Sequence, residues 1–483
     1  MVVDNDDATE LHQVAPSTAE ATTARPALVR VASGFSSVTS WVDRDRTAQL
    51  AGWAVWPLGL FAMIVVGRTQ WFARDDWAFL FTRRVIGNGL GIDDMLLLPQ
   101  DGHWMMWPLL VFRGIYEVFG IGSYWPYLVV LWGTHFAAVA LARKWMLRFG
   151  VSPWTVTLMT ALLLVFGAGW ENVVFAVQIT YNMSLVAFLA HLLLADHDGP
   201  IDRRDGVGAV LGFISVSSSG FGPFFLFGTL VLLVLRRRWL AAAVAVVPQA
   251  LALGWWWLTW GADPAGDQGS ASTSFVIDFV RIGANSTLTS MTGVELLAGA
   301  GCLLCLAVCF WPGTPRSVRL PAITFLITAI VMYAGVGSRR EVFGIGAAGW
   351  SRYQYMAAML IAPTFAYGLD QLHKFAPWAK WAVRALLVYA ITRNILWLYD
   401  GSQFWAAQSV ADRQVFELVA GSPERFDVPA DRAMTAFSPD VRIYDLEELV
   451  QAGAITPRAP SNAAEQLIVD RALGLVPMPA AAP

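Results

Sequence analysis

The sequence predicts an all-α, polytopic membrane protein with about 11 transmembrane helices. Of its 483 residues, 56% are hydrophobic and only 14% are charged, whereas soluble chains carry about a quarter charged residues. Apolar stretches of membrane-spanning length recur along most of the chain. Tryptophans stand at many segment ends, as interfacial belts require. The net charge of −3 does not point to nucleic acid as a partner. Because of the recurring apolar stretches, the lipid bilayer is the expected environment.

The first 48 residues are polar and rich in Ala, Thr and Ser. Without an apolar core of their own, residues 1–48 are predicted to form a disordered cytoplasmic tail. They do not show the basic start, apolar run and small-residue cleavage site of a signal peptide. We expect the transmembrane domain over 49–400, with a first outer loop over 68–123, and a small extracytoplasmic C-terminal segment over 401–483.

Eleven apolar segments are expected to span the membrane. In order, they are about 49–67, 124–142, 153–169, 173–195, 206–220, 223–235, 239–260, 293–311, 319–337, 353–371 and 380–399. With a cytoplasmic N-terminus and an outer C-terminus, every inner turn is basic, as the positive-inside rule requires. These turns contain Arg143, Lys144, Arg148, Arg203, Arg204, Arg236, Arg237, Arg238, Arg316, Arg319, Lys374 and Lys380.

Two segments decide this topology. Residues 105–119 would cover roughly 22 Å as a helix, short of a hydrocarbon core of about 30 Å. Arg113 and Glu117 can pair on one face of this helix, so we place it in the membrane interface. The stretch 206–235 is interrupted by Ser-Ser-Ser-Gly-Phe-Gly-Pro. This stretch could form one interrupted span or two short ones, and both alternatives stay open. Two spans keep all the basic turns on the cytoplasmic side.

The remaining connections are less apolar. The outer connection 261–292 is polar and Gly/Ser-rich, which favours a mobile lid. We predict an amphipathic helix over 403–420, a strand over Val441–Tyr444 and a short helix over Leu446–Gln451. The cysteines share one face of an apolar helix, where packing is a better explanation than a metal site. They are Cys302, Cys305 and Cys309.

Arginines on the outer side are unexpected under the positive-inside rule. An arginine binds phosphate through a planar fork, and Arg339-Arg340 and Ser351-Arg352-Tyr353 flank one loop, so they can converge on one headgroup. Anionic lipid or nearby acids such as Glu341 are the alternative partners. The predicted outer arginines are Arg74, Arg83, Arg84, Arg113, Arg281, Arg339, Arg340 and Arg352.

Two adjacent carboxylates, Asp75 and Asp76, follow the first span. Helix capping explains one of them, but the second must point elsewhere. The neighbours Arg74, Arg83 and Arg84 offer counter-charges that would keep it ionised.

Three further polar residues are expected on the same side of the membrane. Glu171 ends the third span, and Gln178 lies about two turns deeper in the next helix. His103 opens the interfacial helix. The alternatives are an ordinary boundary acid for Glu171 and a solvated or capping residue for His103. The functional interpretation of His103 is donation to a substrate or phosphate.

Taken together, these features resemble the GT-C glycosyltransferases over roughly 50–400. The resemblance rests on Arg74-Asp75-Asp76-Trp77 after one span, the helix after Gly102-His103, Glu171, and Ser351-Arg352-Tyr353. These membrane enzymes transfer a sugar from a polyprenyl-phosphate carrier to an acceptor outside the cytoplasm. The resemblance implies that a first-loop acid is the base or positions the acceptor. It also implies that juxtamembrane and late-loop cations hold the carrier phosphate.

The branch within this family is less defined. Residues 441–456 are similar to the outer tails of actinobacterial cell-wall members. The chain departs from the lipid A and protein O-mannosyl branches, because His103 stands where a Lys is often found and Lys-Pro-Pro is absent. The donor sugar is therefore not transferred from the resemblance.

The expected reaction is an inverting single displacement in the plasma membrane, with cations stabilising the departing phosphate. The expected catalytic residues are Asp75 as base, with Asp76 and Glu171 holding the acceptor or a metal. No cofactor is certain, and a divalent cation is considered although the acids form no recognisable ligand set. Substrate or phosphate ligands are expected at His103, Arg113, Gln178, Arg339, Arg340, Arg352 and Tyr353.

Other function classes stay open. A transporter or flippase of lipid-linked sugars would place charged residues in mid-bilayer, whereas the predicted spans nearly lack them. A scaffold protein, a lipid phosphotransferase and a polysaccharide ligase are further alternatives.

Overall fold

The computed structural model describes residues 45–86, 91–261, 270–434 and 438–476. The chain divides into two compact units, Met1–Ala48 and Gln49–Pro483, and the second unit holds nearly all of the described residues. The predicted disordered tail lies outside the described residues except for 45–48, which are helical.

The described part of the second unit is built from helices. The longer ones are α1 (Asp45–Gly67), α2 (Met106–Phe119), α3 (Trp125–Arg148), α4 (Pro153–Leu164), α5 (Ile179–Ala195), α6 (Arg203–Val216), α7 (Gly222–Leu235), α8 (Trp239–Thr259), α9 (Thr273–Thr292), α10 (Ala298–Phe310), α11 (Arg316–Gly337), α12 (Ser351–Gln371) and α13 (Ala379–Gly421). The helices of the C-terminal segment are α14 (Leu446–Gln451) and α15 (Ala463–Ala472).

Short helical turns connect these elements. The α-helical and π-helical ones are Asp75–Trp77, Ala78–Thr82, Ile92–Leu97 and Glu171–Val174. The 3-10 turns are Gly167–Gly169, Ala176–Gln178, Glu295–Leu297, Glu341–Phe343, Ile345–Gly349, Leu372–Lys374, Pro423–Phe426 and Ile443–Asp445.

Within the described residues, six helices are long and apolar enough to cross a membrane: α1, α3, α5, α8, α11 and α13. Helix α9 and the segment Glu295–Phe310 meet the same criterion together, as a pair bent by 115°. Helices α4 and α7 are shorter but apolar. The chain is therefore an all-α polytopic membrane protein, and each predicted span overlaps a helix.

The long helices run between two ends of the bundle. Tyr124, just before α3, donates a hydrogen bond to Asp76 at 2.7 Å. Arg148, the last residue of α3, pairs with Asp196 at 2.7 Å. Because 24 helical residues cover roughly 36 Å, these contacts mark opposite ends, here named the doublet end and the basic end. Basic clusters from separate predicted inner turns meet at the basic end, where Arg148, Arg236 and Arg316 line one cavity.

Helices α6 and α7 form a hairpin. Arg238, shortly after α7, pairs with Asp205 at the start of α6 at 2.9 Å, so the chain returns to the basic end. In the turn, a Cβ on Gly222 would lie 2.4 Å from Val216 Cα, which is why the residue has no side chain. The interrupted stretch 206–235 therefore folds as two separate helices that run back along each other.

Helix α2 stays at the doublet end. Arg113 pairs with Glu117, as its spacing predicts. The same guanidinium donates to the Val85 carbonyl. The 14 residues of α2 cover roughly 21 Å, and its interfacial placement stays a prediction.

The prediction of a lid over 261–292 is wrong for its larger part, because 273–292 form the regular helix α9. The Ser272 hydroxyl accepts the Phe275 N–H at 3.3 Å and caps this helix. Phe279 contacts the Tyr353 ring, and Ser290 donates to Gln354 at 2.6 Å. Helix α9 therefore crosses over the start of α12. The stretch 262–269 lies outside the described residues.

The C-terminal segment also differs from expectation. The predicted strand Val441–Tyr444 is wrong: in the described ranges, extended pairing is limited to isolated bridges such as Ala433 with Arg442. A lone segment without a neighbouring strand does not form a stable sheet. The predicted helix 403–420 is the continuation of α13, which runs unbroken for 43 residues. The helix Leu446–Gln451 is confirmed.

This segment packs on the first outer loop. The Thr82 hydroxyl donates to Asp440 at 2.5 Å, and the Tyr116 hydroxyl donates to Glu448 at 3.2 Å. Val441, Leu449 and Val469 share a buried cluster with residues of that loop. The C-terminal segment therefore buttresses the loop that carries the Asp doublet.

Candidate functional site

The two carboxylates of the doublet point into different surroundings. They begin the short helix Asp75–Trp77, and the preceding Arg74 has a φ of 49° in the left-handed region. The N-cap position is Arg74, without a side-chain capping hydrogen bond, so capping does not explain the doublet. Asp76 is completely buried, whereas the Asp75 side chain is accessible and lines a cavity.

Asp76 is enclosed by hydrogen-bond donors of the protein itself. Its carboxylate accepts from the Tyr124 hydroxyl at 2.7 Å, from the Val177 N–H at 3.0 Å and from the Ala73 N–H at 3.3 Å. Burial raises the pKa of Asp76 to about 8, and these donors oppose the shift. Asp76 is therefore engaged by the protein and does not face the cavity, so its position does not support the prediction that it holds an acceptor or a metal. Asp76 instead connects the first outer loop to the turn before α5.

Asp75 lines a cavity of about 250 Å³ at the doublet end. Four other predicted site residues, from distant parts of the chain, line the same cavity: His103, Gln178, Arg340 and Arg352. Gln100, Asp101, Thr180 and Tyr181 complete its polar wall. The cavity therefore combines two carboxylates, a histidine, two amides and two guanidinium groups.

The surroundings of Asp75 raise the pKa of its carboxyl group. Desolvation by the surrounding protein raises its pKa to about 6. The positive charge of Arg352 opposes this shift, and the negative charges of Asp101 and Asp440 add to it. At neutral pH the carboxylate is mostly ionised and able to accept a proton.

Glu171 supports the cavity wall from behind Arg352. Its carboxylate accepts the Arg352 backbone N–H at 3.2 Å and lies 3.8 Å from the guanidinium Nε. The Glu171 N–H in turn donates to the Ser351 hydroxyl at 3.1 Å. The guanidinium of Arg352 also stacks 4.9 Å from the centre of the Trp350 ring. Glu171 thus orients Arg352 and does not itself line the cavity.

Gln178 offers an unused acceptor beside Asp75. The side chain is buried, and its Oε1 has no hydrogen-bond partner among the described residues. The preceding residue Val177 is held by Asp76. Since a buried polar atom without a partner is costly, the Gln178 amide is suited to a ligand hydroxyl in the cavity.

A much larger cavity, of about 1170 Å³, adjoins the first. The two share Asp101, His103 and Arg340 in their walls, and Arg339 also lines the larger one. Its length is formed by apolar residues of α7 and α8, among them Leu226, Phe227, Leu230, Val246, Leu253 and Trp257. A cationic mouth therefore leads into an apolar groove.

The turn between α6 and α7 closes around His103. A Cβ on Gly220 would lie 2.6 Å from the His103 ring. His103 also exchanges backbone hydrogen bonds with Gln100. Both contacts hold the imidazole at the junction of the two cavities.

Several predicted residues lie away from both cavities. Arg113 is engaged by Glu117 and Val85, because α2 turns its charged face outward. Tyr353 is buried against Phe221 and Trp350. The predictions that Arg113 and Tyr353 bind substrate are therefore not supported by their positions.

The prediction that Arg83 is a counter-charge for the Asp doublet is also wrong. Arg83 donates to the Met95 carbonyl at 2.6 Å and to the Pro99 carbonyl at 2.7 Å. It therefore fixes the segment that leads to His103 and not the doublet. Arg74 lies over the Trp405 ring at 5.2 Å.

Sequence reasoning missed three groups that shape the site: Asp101, Asp440 and Tyr124. Asp101 adjoins Gly102-His103 and has a φ of 49°, so its closeness to His103 in the chain was an available signal. Tyr124 and Asp440 act through contacts between distant segments, for which the sequence carries no local signal.

A metal ion at the doublet stays a prediction. In the described ranges, the group of His, Cys and acidic side chains with ligand-like spacing is His197, Asp202 and Asp205 at the basic end. There, Asp205 already pairs with Arg238, and Asp202 with Arg204.

No protein-family model and no curated protein matches this sequence. Solved structures of ArnT from Cupriavidus metallidurans are similar to it, at 12% sequence identity and a TM-score of 0.49. The structure bound to undecaprenyl phosphate is matched over 87% of this chain and 88% of that chain. The apo structure is matched over 90% of this chain and 88% of that chain.

Proposed function

We propose that this chain is a membrane glycosyltransferase that moves a sugar from a polyprenyl-phosphate carrier to an acceptor hydroxyl of a glycan, lipid or protein. The observation that carries the proposal is the meeting of Asp75, His103, Gln178, Arg340 and Arg352 in one cavity beside a long apolar groove. A base, cations and an apolar groove are what this transfer requires.

We propose that the donor would lie across the two cavities. Its polyprenyl chain would lie along the apolar groove between α7 and α8. Its phosphate would lie at the shared wall, near Arg340 and His103, where guanidinium forks bind phosphate oxygens. Its sugar would then project into the smaller cavity toward Asp75.

In this position the reaction is a single displacement. The Asp75 carboxylate takes the proton of the acceptor hydroxyl while the hydroxyl oxygen attacks the anomeric carbon of the donor sugar. The bond from that carbon to the phosphate oxygen breaks, and the polyprenyl phosphate leaves with the bonding electrons. Arg340 and Arg352 stabilise the negative charge on the leaving phosphate. The anomeric configuration inverts, because one displacement takes place.

Asp76 and Glu171 then act by positioning. Asp76 holds the turn that presents Gln178, and Glu171 holds Arg352. The Gln178 carbonyl oxygen accepts a hydroxyl of the sugar or of the acceptor.

We also propose that the doublet end faces the outside of the cell membrane, because the arginine-rich turns meet at the opposite end. Helix α1 then begins in the cytoplasm. In a background without native cysteines, Gly346→Cys should react with an impermeant maleimide added to intact cells, and Gly313→Cys should not. Selective labelling of Gly313→Cys would reverse the orientation.

The function is tested by incubating purified protein with a panel of polyprenyl-phosphate sugars and envelope glycan, lipid and protein acceptors. Cell-wall glycans are the acceptors to try first, because residues 441–456 resemble the outer tails of actinobacterial cell-wall members of the GT-C family. Mass spectrometry should detect a glycosylated acceptor and free polyprenyl phosphate in equal amounts. A parallel reaction with EDTA tests the divalent cation. Donor translocation across vesicles without transfer would instead support a flippase.

A further inference from the structure

A second polar cavity lies at the basic end, across the bundle from Asp75. It encloses about 340 Å³. The charged and ionisable residues that carry the argument are Arg148, Arg204, Arg236, Arg316, Asp196 and His197. The proposed glycosyl-transfer reaction uses none of them.

Part of this cluster is a built ion-pair network. Asp196 is fully buried and pairs with Arg148 at 2.7 Å and with Arg236. Arg236 reaches Asp198 at 2.8 Å, and Arg204 pairs with Asp202 at 2.8 Å. These contacts hold the guanidinium groups of three arginines around the cavity.

Positive charge is left over after this pairing. Arg316 lines the cavity and has no ion pair or hydrogen bond among the described residues. It is also the first residue of α11, a 22-residue helix without a side-chain cap. The first N–H groups of a helix have no intrahelical acceptor and carry partial positive charge. Arg316 and Ser317 bring these groups to the cavity wall.

His197 gives a second, independent observation at this cavity. Its side chain is only 10% exposed, and both ring nitrogens are buried without a hydrogen-bond partner. The nearest carboxylate, Asp205, lies 3.4 Å from Nε2. It already accepts two hydrogen bonds from Arg238 at 2.9 Å. The imidazole therefore lines the cavity with an unused donor.

We propose that this cavity binds a phosphate group, as an anionic phospholipid headgroup or as free phosphate. Guanidinium groups and a helix N-terminus both bind phosphate oxygens. The neighbouring Phe310 and Trp311 are 69% and 60% exposed, as expected beside lipid chains at an interface. The site is separate from the proposed transferase site and does not depend on that function.

The test uses full-length protein in a neutral detergent. Phosphatidylglycerol, phosphatidylcholine and inorganic phosphate are titrated separately, with native mass spectrometry and thermal unfolding as readouts. We expect phosphatidylglycerol or inorganic phosphate to bind and to raise the unfolding temperature, and the arm that responds identifies the source. Binding of neither, or equal binding of phosphatidylcholine and phosphatidylglycerol without a phosphate response, would overturn the proposal.

Two variants locate the site. Arg316→Gln should weaken binding about tenfold, because one charge-assisted contact is lost. Arg319→Gln removes the same charge from the same helix outside the cavity and should leave binding unchanged. Ser317→Asp should abolish binding while keeping or raising stability, since an acid is favourable in the first turn of a helix. Wild-type affinity in both Arg316→Gln and Ser317→Asp would refute the site.

Discussion

The Tyr124 hydroxyl donates a hydrogen bond to the Asp76 carboxylate at 2.7 Å and accepts one from the Ala176 N–H at 2.8 Å. The same carboxylate accepts the Val177 N–H. This network joins the start of α3, the Asp doublet and the turn that carries Gln178. The two acids of the doublet therefore have separate tasks, chemistry for Asp75 and structure for Asp76.

The structural task of Asp76 predicts a stability effect. Asp76→Ala leaves the N–H groups of Ala73 and Val177 and the Tyr124 hydroxyl without their acceptor in a buried site. Each unsatisfied donor costs about 1–3 kcal/mol, so we expect a loss of about 3 kcal/mol or more. Unfolding in detergent measures it, with Asp75→Ala as the matched control. Equal stability of the two variants would contradict this division of tasks.

The raised pKa of Asp75 predicts the pH dependence of the reaction. A general base must be ionised, so kcat/KM should fall as the pH drops through about 6. Asp101→Asn removes a negative charge that raises the pKa of Asp75, so it should move the acid limb to lower pH. Asp93→Asn, at an exposed position outside the cavity, should not move it. A shift to higher pH in Asp101→Asn would have the wrong sign for Asp75 as the titrating base.

The cations of the cavity should act on the donor phosphate. Arg340→Gln and Arg352→Gln each remove a charge-assisted contact worth about 1.5–3 kcal/mol, so kcat/KM for the donor should fall about 10-fold to 100-fold. Arg113→Gln is the control, because Arg113 is a cation at the same end of the bundle whose partners are Glu117 and Val85. A similar loss in all three variants would mean that general surface charge, not the cavity, attracts the donor.

The apolar groove should select for the carrier chain. Nothing lies within 4 Å of a Cβ placed on Gly254, which lines the groove. Gly254→Phe should therefore narrow the groove without disturbing the packing. We expect a higher KM for a long-chain polyprenyl donor and little change for a short-chain analogue. Gly133→Phe, at an open and exposed position on α3, is the control. If the Gly254→Phe variant used both donors equally well, the polyprenyl chain would not bind in this groove.

Most of the fold could be predicted because long apolar runs and basic turns are local properties. The short helix α2 and its Arg113–Glu117 pair followed from the apolar run and from the spacing of the two charges. Helix α9 was missed because it lies across other helices and is amphipathic. Asp278 and Arg281 are exposed, while Phe279 and Leu288 are buried. Such a helix has the composition of a polar loop.

The site could be predicted in part for the same reason. Asp75, His103, Gln178, Arg340 and Arg352 are polar groups in predicted outer turns, and turns on one side of a bundle meet. The environment of each group depends on distant contacts. Asp76 meets Val177 across 101 positions, and Arg352 meets Glu171 across 181. Nothing in the local sequence distinguishes the buried acid of the doublet from the accessible one.

Replacement of Asp75 by Asn tests the central claim most directly. Asn keeps the size of the side chain and removes the base, so transfer from polyprenyl-phosphate sugar should slow about 10²-fold to 10⁴-fold. The unfolding temperature should stay close to that of the wild type, because Asp75 is accessible and Asp76 carries the buried network. The initial rate of acceptor glycosylation, read by mass spectrometry at about pH 7.5, well above the raised pKa of Asp75, decides the matter. A folded Asp75→Asn protein that transfers sugar at the wild-type rate would contradict the assignment of Asp75 as the base.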